Sequence, residues 1–173
     1  MIGKNCLSIL LINHRYEIQD LLAKVAGILE RLGYSIKIET SPNREYSYVK
    51  LVALSDERST IEVGHIDYIV VLGERAEINI PREELGPSTV IIAPFRDVEL
   101  ENLYHVPSGR ENLYYVGVLL SLLGIPFEYS LQEFTGIREK KVLAEAYTYT
   151  IYNVLDRPHK RVKLRLDSLV EEH

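Results

Sequence analysis

The sequence predicts an open, mostly parallel α/β sheet with helices on both faces, a Rossmann-like three-layer arrangement in a single domain. Short runs rich in Val, Ile and Leu alternate with segments of helical periodicity in the first half, which is typical of β-α-β units. Helical patterns dominate the second half. The length of 173 residues fits one domain, since domains typically hold about 100–200 residues.

The first three elements form one β-α-β pattern. Leu7–Ile12 is a continuous apolar run, which predicts a strand buried on both faces. Apolar residues recur at helical spacing from Tyr16 to Leu32, and Gly33 follows where a left-handed cap favours glycine. Tyr34–Glu39 alternates as a strand does. We therefore expect a parallel pair of strands joined by a right-handed crossover.

The remaining elements are three strands and three helices. Tyr46–Leu54 predicts a further strand, and Pro81–Pro87 predicts a short helical turn and a loop between the last two strands. Those last two strands, both largely apolar and the first rich in Ile and Val, are Ile66–Leu72 and Thr89–Ala93. The helical segments are Arg110–Leu123, a turn at Leu131–Phe134, and Glu139–Leu155.

Residues 1–155 are assigned to the domain, and residues 156–173 to a charged C-terminal tail. In the tail, Val162, Leu164 and Leu166 alternate with basic residues. One interpretation is a strand that docks on a partner or on the sheet edge. The other is a solvated, partly ordered tail.

Composition excludes several classes of protein. The net charge of -5 argues against a general nucleic-acid role. The single cysteine, Cys6, excludes a disulfide framework and any iron–sulfur cluster built by this chain alone, which needs about four thiolates. We interpret Cys6 as a small buried hydrophobe. No apolar run approaches the roughly 18 residues of a membrane span, and no signal-peptide pattern is present, so a cytoplasmic location is expected.

The composition is also typical of a thermophile, because Gln is scarce while Glu, Arg and Ile are plentiful. Random drift explains the same composition equally well.

The first candidate site is the loop after the first strand, since ligands bind at the carboxyl ends of strands in such sheets. The loop Asn13–Glu17 contains no glycine, which a phosphate-cradling loop needs. Arg15 can still meet an anion with its side chain, and His14 is a candidate base or ligand. Alternatively, Glu17 and Asp20 complement the helix dipole without any ligand.

Familiar catalytic and metal motifs are missing from the sequence. The five histidines show no metal-ligand spacing, and neither a G-x-S-x-G nor a G-x-x-x-x-G-K-S/T motif occurs. The residues alone thus indicate a soluble α/β domain that is not a self-sufficient catalyst, with no metal site.

Several stretches resemble the gamma subunit of pyruvate and other 2-oxoacid:ferredoxin oxidoreductases. Asp67–Leu72 resembles the family's Asp-aliphatic strand, and Glu111–Gly117 its Asn-x-x-x-x-Gly helix start. The resemblance runs from about Leu7 to Leu155. Its other parts are Leu21–Val25, Gly33-Tyr34, Ser41–Arg44, Val49–Leu54 with the residues after it, and Lys140–Tyr152.

The chain departs from the family in its loops. The family's first loop reads approximately Gly-x-Gly-Gly-Gln-Gly, where this chain has Asn13–Glu17, and Glu45-Tyr46 replaces a Gly-Gly. Arg44 and Asn112 are the polar positions that still match, and together with Arg15 and His14 they are the cofactor-binding candidates. Arg44 and Asn112 each have an alternative, purely structural role. Arg44 would be an exposed turn residue, and Asn112 a helix-start residue that satisfies backbone groups.

The resemblance implies a non-catalytic subunit of a complex that oxidatively decarboxylates a 2-oxoacid to an acyl-CoA. It implies that thiamine diphosphate, iron–sulfur clusters and CoA belong with partner alpha, beta and ferredoxin-like subunits, and that this chain alone binds no cofactor. The tyrosine pairs Tyr46/Tyr48 and Tyr114/Tyr115 suit such an interface, or else ordinary packing.

Two other functions remain open at this point. The first is a stand-alone paralogue, a homo-oligomer or self-associating module that binds a protein or a small anion. The second is an independent enzyme using His14, Arg15 and Arg44.

Overall fold

The computed structural model describes residues 6–13, 18–42, 47–54, 66–72, 85–96, 100 and 102–153. The strands are β1 (Cys6–Asn13), β2 (Ser35–Pro42), β3 (Ser47–Leu54), β4 (Tyr68–Leu72), β5 (Val90–Ala93) and β6 (Leu103–His105). The helices are α1 (Ile18–Arg31), α2 (Asn112–Leu122), α3 (Phe127–Glu133) and α4 (Ile137–Asn153). Residues 81–84 of the predicted 81–87 segment and the whole of the 156–173 tail lie outside these ranges, as does the boundary at residue 155.

The six strands form one sheet in the order β2-β3-β1-β4-β5-β6. β1, β4, β5 and β6 are parallel, which confirms the mostly parallel α/β class. β3 lies between β1 and β2 and is antiparallel to both. The expected pairing of β1 with β2 is therefore wrong, although they run in the same direction. The four residues between β2 and β3 are too few for a crossover helix, so β3 returns antiparallel and occupies the place beside β1.

A polar link fixes β4 beside β1 at the amino edge of the sheet. The backbone N–H of Ser8 donates to Oδ2 of Asp67 over 3.0 Å, and the N–H of Asp67 donates to the carbonyl of Ser8 over 3.1 Å. The next strand is tied in similarly, because the Thr89 hydroxyl donates to the carbonyl of Ile66 over 2.6 Å. Asp67 and Thr89 are both buried. These hydrogen bonds therefore satisfy polar groups that would otherwise lack a partner in the core.

The side chains of alternate strand residues pack into two separate apolar clusters, one on each face of the sheet. Leu7, Ile9 and Leu11 point to the face where the core residues of all four helices lie. Leu10 and Ile12 point to the opposite face, where the described cover is Leu85, Phe95, Leu100 and Leu103. Helices thus cover one face as predicted; on the other, the crossover of residues 73–84 lies outside the described residues.

Helix α2 is buried on every side. Every residue from Leu113 to Leu122 is buried, because α2 lies between the sheet and α4. Gly117 permits the close approach of α4: a Cβ there would lie 2.7 Å from the Cβ of Ala146. No described helix is long and apolar enough to cross a membrane.

Candidate functional site

The carboxyl ends of the strands are where this class of sheet binds ligands. The parallel strands β1, β4, β5 and β6 end together at this edge. β2 ends there too, because it is antiparallel to β3, which in turn is antiparallel to β1. The last residues of the five strands are Asn13, Pro42, Leu72, Ala93 and His105.

The four candidate residues follow or belong to three different elements of the chain, β1, β2 and α2. His14 and Arg15 directly follow β1, and Arg44 comes two residues after β2, but all three lie outside the described residues. β3 separates β1 from β2, so the ends of those strands are two strand spacings apart, about 10 Å. α2, which begins at Asn112, packs on β4 and β5, on the other side of β1. The ends of β1 and β2 and the start of α2 thus lie apart along the edge.

Asn112 is the first residue of α2 and is partly exposed. The N-cap position belongs to Glu111, whose side chain makes no capping bond. Within the described part of the chain, no hydrogen bond to the Asn112 side chain is present, so its amide does not serve the backbone groups of the helix start. Its donor and acceptor atoms are therefore available to a group outside the described residues.

Two tyrosines fix the loop that leads from β6 to α2. The Tyr115 hydroxyl, from the first turn of α2, donates to the carbonyl of Pro107 over 3.0 Å. The Tyr149 hydroxyl, from α4, donates to the carbonyl of His105 over 3.2 Å. Gly109 has φ +74°, a left-handed conformation that favours glycine, and it turns the chain towards the helix. The loop is thus held from two helices, and the start of α2 is placed firmly at the edge.

Charged side chains surround this loop as pairs. The guanidinium of Arg138 donates to the carboxylate of Glu111, with Nε at 2.9 Å. Arg110 lies 3.8 Å from the carboxylate of Glu145, and its guanidinium stacks 5.4 Å from the centre of the Tyr114 ring. These pairs are exposed, so each adds little stability, but together they leave a polar rim around Asn112.

A second contact at the rim joins the ends of β5 and β6. Nε of Arg96 donates to Nδ1 of His105 over 3.2 Å, which requires Nδ1 to be unprotonated. The sequence did not single out Arg96, Arg110 or Arg138. Gly109, just before α2, is the signal that marks this loop as a defined turn.

Two features describe the chemistry of this rim. Burial raises the pKa of Tyr114 to about 12, an effect that Arg110 partly offsets, so this phenol stays neutral and cannot act as a base near neutral pH. In the part of the chain that the structure describes, no group of three or more His, Cys, Asp or Glu side chains is placed to hold a metal ion. The side chain of Cys6, in the first position of β1, lies outside the described residues.

Tyr114 and Tyr115 do not face a partner. Both are buried, 4% and 1% exposed, and their rings meet edge to face with centroids 5.9 Å apart. Ordinary packing is therefore their role, and the interface interpretation was wrong for this pair. Tyr46 and the side chain of Tyr48 lie outside the described residues.

Comparison with known proteins identifies the fold. No protein-family model matches the chain, and no curated protein matches it. Among solved structures, it is similar to the 2-oxoglutarate:ferredoxin oxidoreductase from Magnetococcus marinus with 2-oxoglutarate, coenzyme A and succinyl-CoA bound. The TM-score is 0.69 at 16% identity, covering 93% of this chain. The chain spans 33% of the length of that relative.

Two further structures are separate subunits of similar size. One is the pyruvate oxidoreductase subunit PORC from Thermotoga maritima, with TM-score 0.62, 15% identity, and 84% of this chain and 97% of that chain covered. The other is the gamma subunit of a keto/oxoacid ferredoxin oxidoreductase from Geobacter sulfurreducens. Its TM-score is 0.55 at 14% identity, and the alignment covers 88% of this chain and 98% of that chain. At these identities the likeness establishes the fold, which is that of these subunits.

Proposed function

We propose that this chain is a non-catalytic, gamma-type subunit of a 2-oxoacid:ferredoxin oxidoreductase complex. The observation that carries the proposal is the match to a separate subunit over nearly its whole length. The alignment with the Thermotoga maritima subunit covers 97% of that subunit and 84% of this chain. A whole-length match of this kind supports a protein that works as one part of an assembly.

The composition of the chain agrees with a role outside the reaction centre. It has one cysteine and no Gly-Asp-Gly motif of the thiamine-binding type, so the thiamine diphosphate and the iron–sulfur clusters would belong to partner subunits. Those cofactors would supply the oxidative decarboxylation of the 2-oxoacid and the transfer of its electrons to ferredoxin. This chain would supply a surface that binds and orients.

The candidate residues of that surface are Asn112 on α2, His14 and Arg15 after β1, and Arg44 after β2. Asn112 offers an amide that no other described side chain or backbone group occupies. Arg15 and Arg44 each bring a cation, which suits an anionic ligand such as CoA or an acidic partner surface. The absence of glycine from Asn13–Glu17 and from Glu45-Tyr46 favours side-chain contacts over backbone N–H groups as the means of recognition.

A complementation assay tests this function. We would delete the gene in its native organism, restore it as wild type or as Asn112→Ala, and measure 2-oxoacid-dependent reduction of a viologen dye in anaerobic extracts. We expect deletion to abolish one such activity and wild type to restore it. Asn112→Ala should restore about a half to a tenth of it, the worth of one lost hydrogen bond.

Asn153→Ala is the matched control, because Asn153 is an exposed residue at the far end of α4 and should restore full activity. Unchanged activity with each of several 2-oxoacids after deletion would reject the proposal. It would leave a stand-alone protein of the same fold.

A further inference from the structure

Strand β6 lies at one edge of the sheet, and no described strand is paired with its outer side. Two hydrogen bonds show which backbone groups face β5. The carbonyl of Asn102 accepts a bond from β5 over 3.0 Å, and the N–H of Val106 donates one to β5 over 2.9 Å. Backbone groups alternate in direction along a strand, so the N–H and C=O groups of Leu103 and His105 point outwards. We call these outward groups the β6 edge.

Most of the β6 edge is unpaired within the described residues. The carbonyl of His105 accepts the hydroxyl of Tyr149 over 3.2 Å. The N–H of His105 and both backbone groups of Leu103 form no hydrogen bond to any described residue. An edge of this kind is a template for an added strand, and it also exposes the protein to pairing with other chains.

Helix α4 brings the chain to this edge. Tyr149, whose hydroxyl reaches the carboxyl end of β6, lies one turn before Asn153, the last residue of α4. Residues 154–173 follow, outside the described ranges. Pro158 is unfavourable in the interior of a helix, so the sequence does not favour a continuation of α4. The segment 161–166 is within reach of β6, because eight residues beyond Asn153 can span up to about 26 Å.

We propose that residues 161–166 join the sheet as an additional strand, antiparallel to β6. Their sequence alternates as a strand with one apolar face does: Val162, Leu164 and Leu166 alternate with Arg161, Lys163 and Arg165. The connection favours the antiparallel direction. The chain reaches the sheet at the carboxyl end of β6, and residues 154–160 are fewer than the dozen or so that a crossover to a parallel strand needs.

The apolar side chains of this strand fit the face of the sheet that lies away from the helices. The described cover of that face consists of four side chains that are only partly buried, Leu85, Phe95, Leu100 and Leu103. Leucine and valine beside them would bury further apolar area. Counted from the connection, Val162 then lies opposite His105, and Leu164 lies opposite Leu103. A slip of one residue would turn the basic side chains onto this apolar face.

The same register gives the basic residues a suitable neighbour on the other face. Lys163 lies opposite Tyr104, whose ring is partly buried on the helix side of the sheet. A lysine can lay its aliphatic stem and its cation over such a ring. The tail would thus close the β6 edge within the same molecule. This inference concerns the chain alone and does not depend on the proposed function.

Amide hydrogen exchange of the 173-residue chain, followed by NMR at single residues, tests the proposal. The N–H of Val106, which donates to Ala93 of β5, is the internal reference. Leu164→Pro removes the N–H that would pair with the carbonyl of Leu103 and breaks the added strand. We expect the amides of Leu103 and His105 to exchange at least about tenfold faster in this variant than in wild type, with Val106 unchanged.

Glu171→Pro is the matched control, because it places the same residue type outside the alternating segment and should exchange as wild type does. The proposal is overturned if the outward amides of Leu103 and His105 exchange equally fast in wild type and in Leu164→Pro. It is also overturned if their protection depends on protein concentration, since a second copy would then cover the edge.

Cysteine cross-linking tests the register, in a Cys6→Ser background. His105→Cys with Val162→Cys should form a disulfide within one molecule, because the Cα atoms of a hydrogen-bonded antiparallel pair lie about 5.5 Å apart. His105→Cys with Lys163→Cys places the second thiol on the opposite face and should remain largely reduced. Non-reducing electrophoresis and mass spectrometry compare the two pairs. Equal cross-linking of both pairs, or none in the first, would overturn the proposed pairing.

Discussion

Gly117 lies where α2 and α4 cross, and its missing side chain sets their distance. A Cβ at this position would lie 2.7 Å from Cβ of Ala146 and 3.2 Å from Cδ2 of Leu143, atoms that belong to a packed helix. We expect Gly117→Ala to lower the free energy of unfolding by about 1–3 kcal/mol, the usual cost of overpacking, even though alanine favours helix. Urea unfolding, followed by circular dichroism, measures this change in the free energy of unfolding.

Gly27 provides the matched control, because it too lies inside a helix. A Cβ there would meet only the end of the flexible Glu133 side chain, at 2.6 Å, which can move away. Gly27→Ala should therefore be neutral or stabilising by up to about 1 kcal/mol. Equal effects of the two substitutions would show that α2 and α4 are not in tight contact at Gly117.

Tyr147 ties the end of α2 to α3 and α4. Its hydroxyl donates to the carbonyl of Ile125 over 2.9 Å and lies 2.8 Å from the hydroxyl of Ser130. Burial raises the pKa of Tyr147 to about 12, an effect that the bond from Ser130 partly offsets. The neutral phenol is therefore favoured in the folded state, and its stabilising contribution is complete below the unfolded-state pKa of about 10. It is lost as the pH rises from about 10 to 12.

Tyr147→Phe should lower the free energy of unfolding at pH 8 by about 1–2 kcal/mol, because two buried polar groups lose a partner. The variant should also lose stability less steeply than wild type between about pH 10 and 12. Tyr152→Phe, at a site 71% exposed, should match wild type in both respects. A Tyr147→Phe curve parallel to that of wild type above pH 10 would contradict the assignment.

At the scale of elements, the Ser8–Asp67 link determines how β4 joins β1. Asp67→Ala removes the carboxylate that accepts the N–H of Ser8 and should cost about 1–3 kcal/mol of unfolding free energy. Asp67→Asn keeps an acceptor oxygen and should cost less than half of that. Chemical denaturation compares the two; an equal loss in both variants would mean that the charge, and not the hydrogen bond, is what matters.

The elements that sequence patterns predicted well are those with long, clear periods. β1, α1, β4, β5 and α4 appear within a few residues of their predicted bounds. β6 was missed because its three residues, Leu103–His105, are too few to show any period. The pairing of β3 with β1 was also missed, because the alternation within a strand carries no information about its neighbour in the sheet.

At the scale of the whole molecule, sequence and structure contribute different parts of the account. The sequence provides the resemblance and the loops that depart from it. Strand order, which no local pattern encodes, separates the end of β1, the end of β2 and the start of α2 along one edge. That the Asn112 amide makes no hydrogen bond among the described residues could not be foreseen either, since it depends on Glu111 taking the cap position.

The most direct test of the central claim is purification of the chain from its native organism. We would add an affinity tag to the chromosomal gene, purify under anaerobic conditions, and identify the co-eluting proteins by mass spectrometry together with their iron and thiamine diphosphate content. We expect stoichiometric co-elution with larger subunits that carry thiamine diphosphate and iron–sulfur clusters. Elution of the chain alone, or only with copies of itself, would contradict the subunit role.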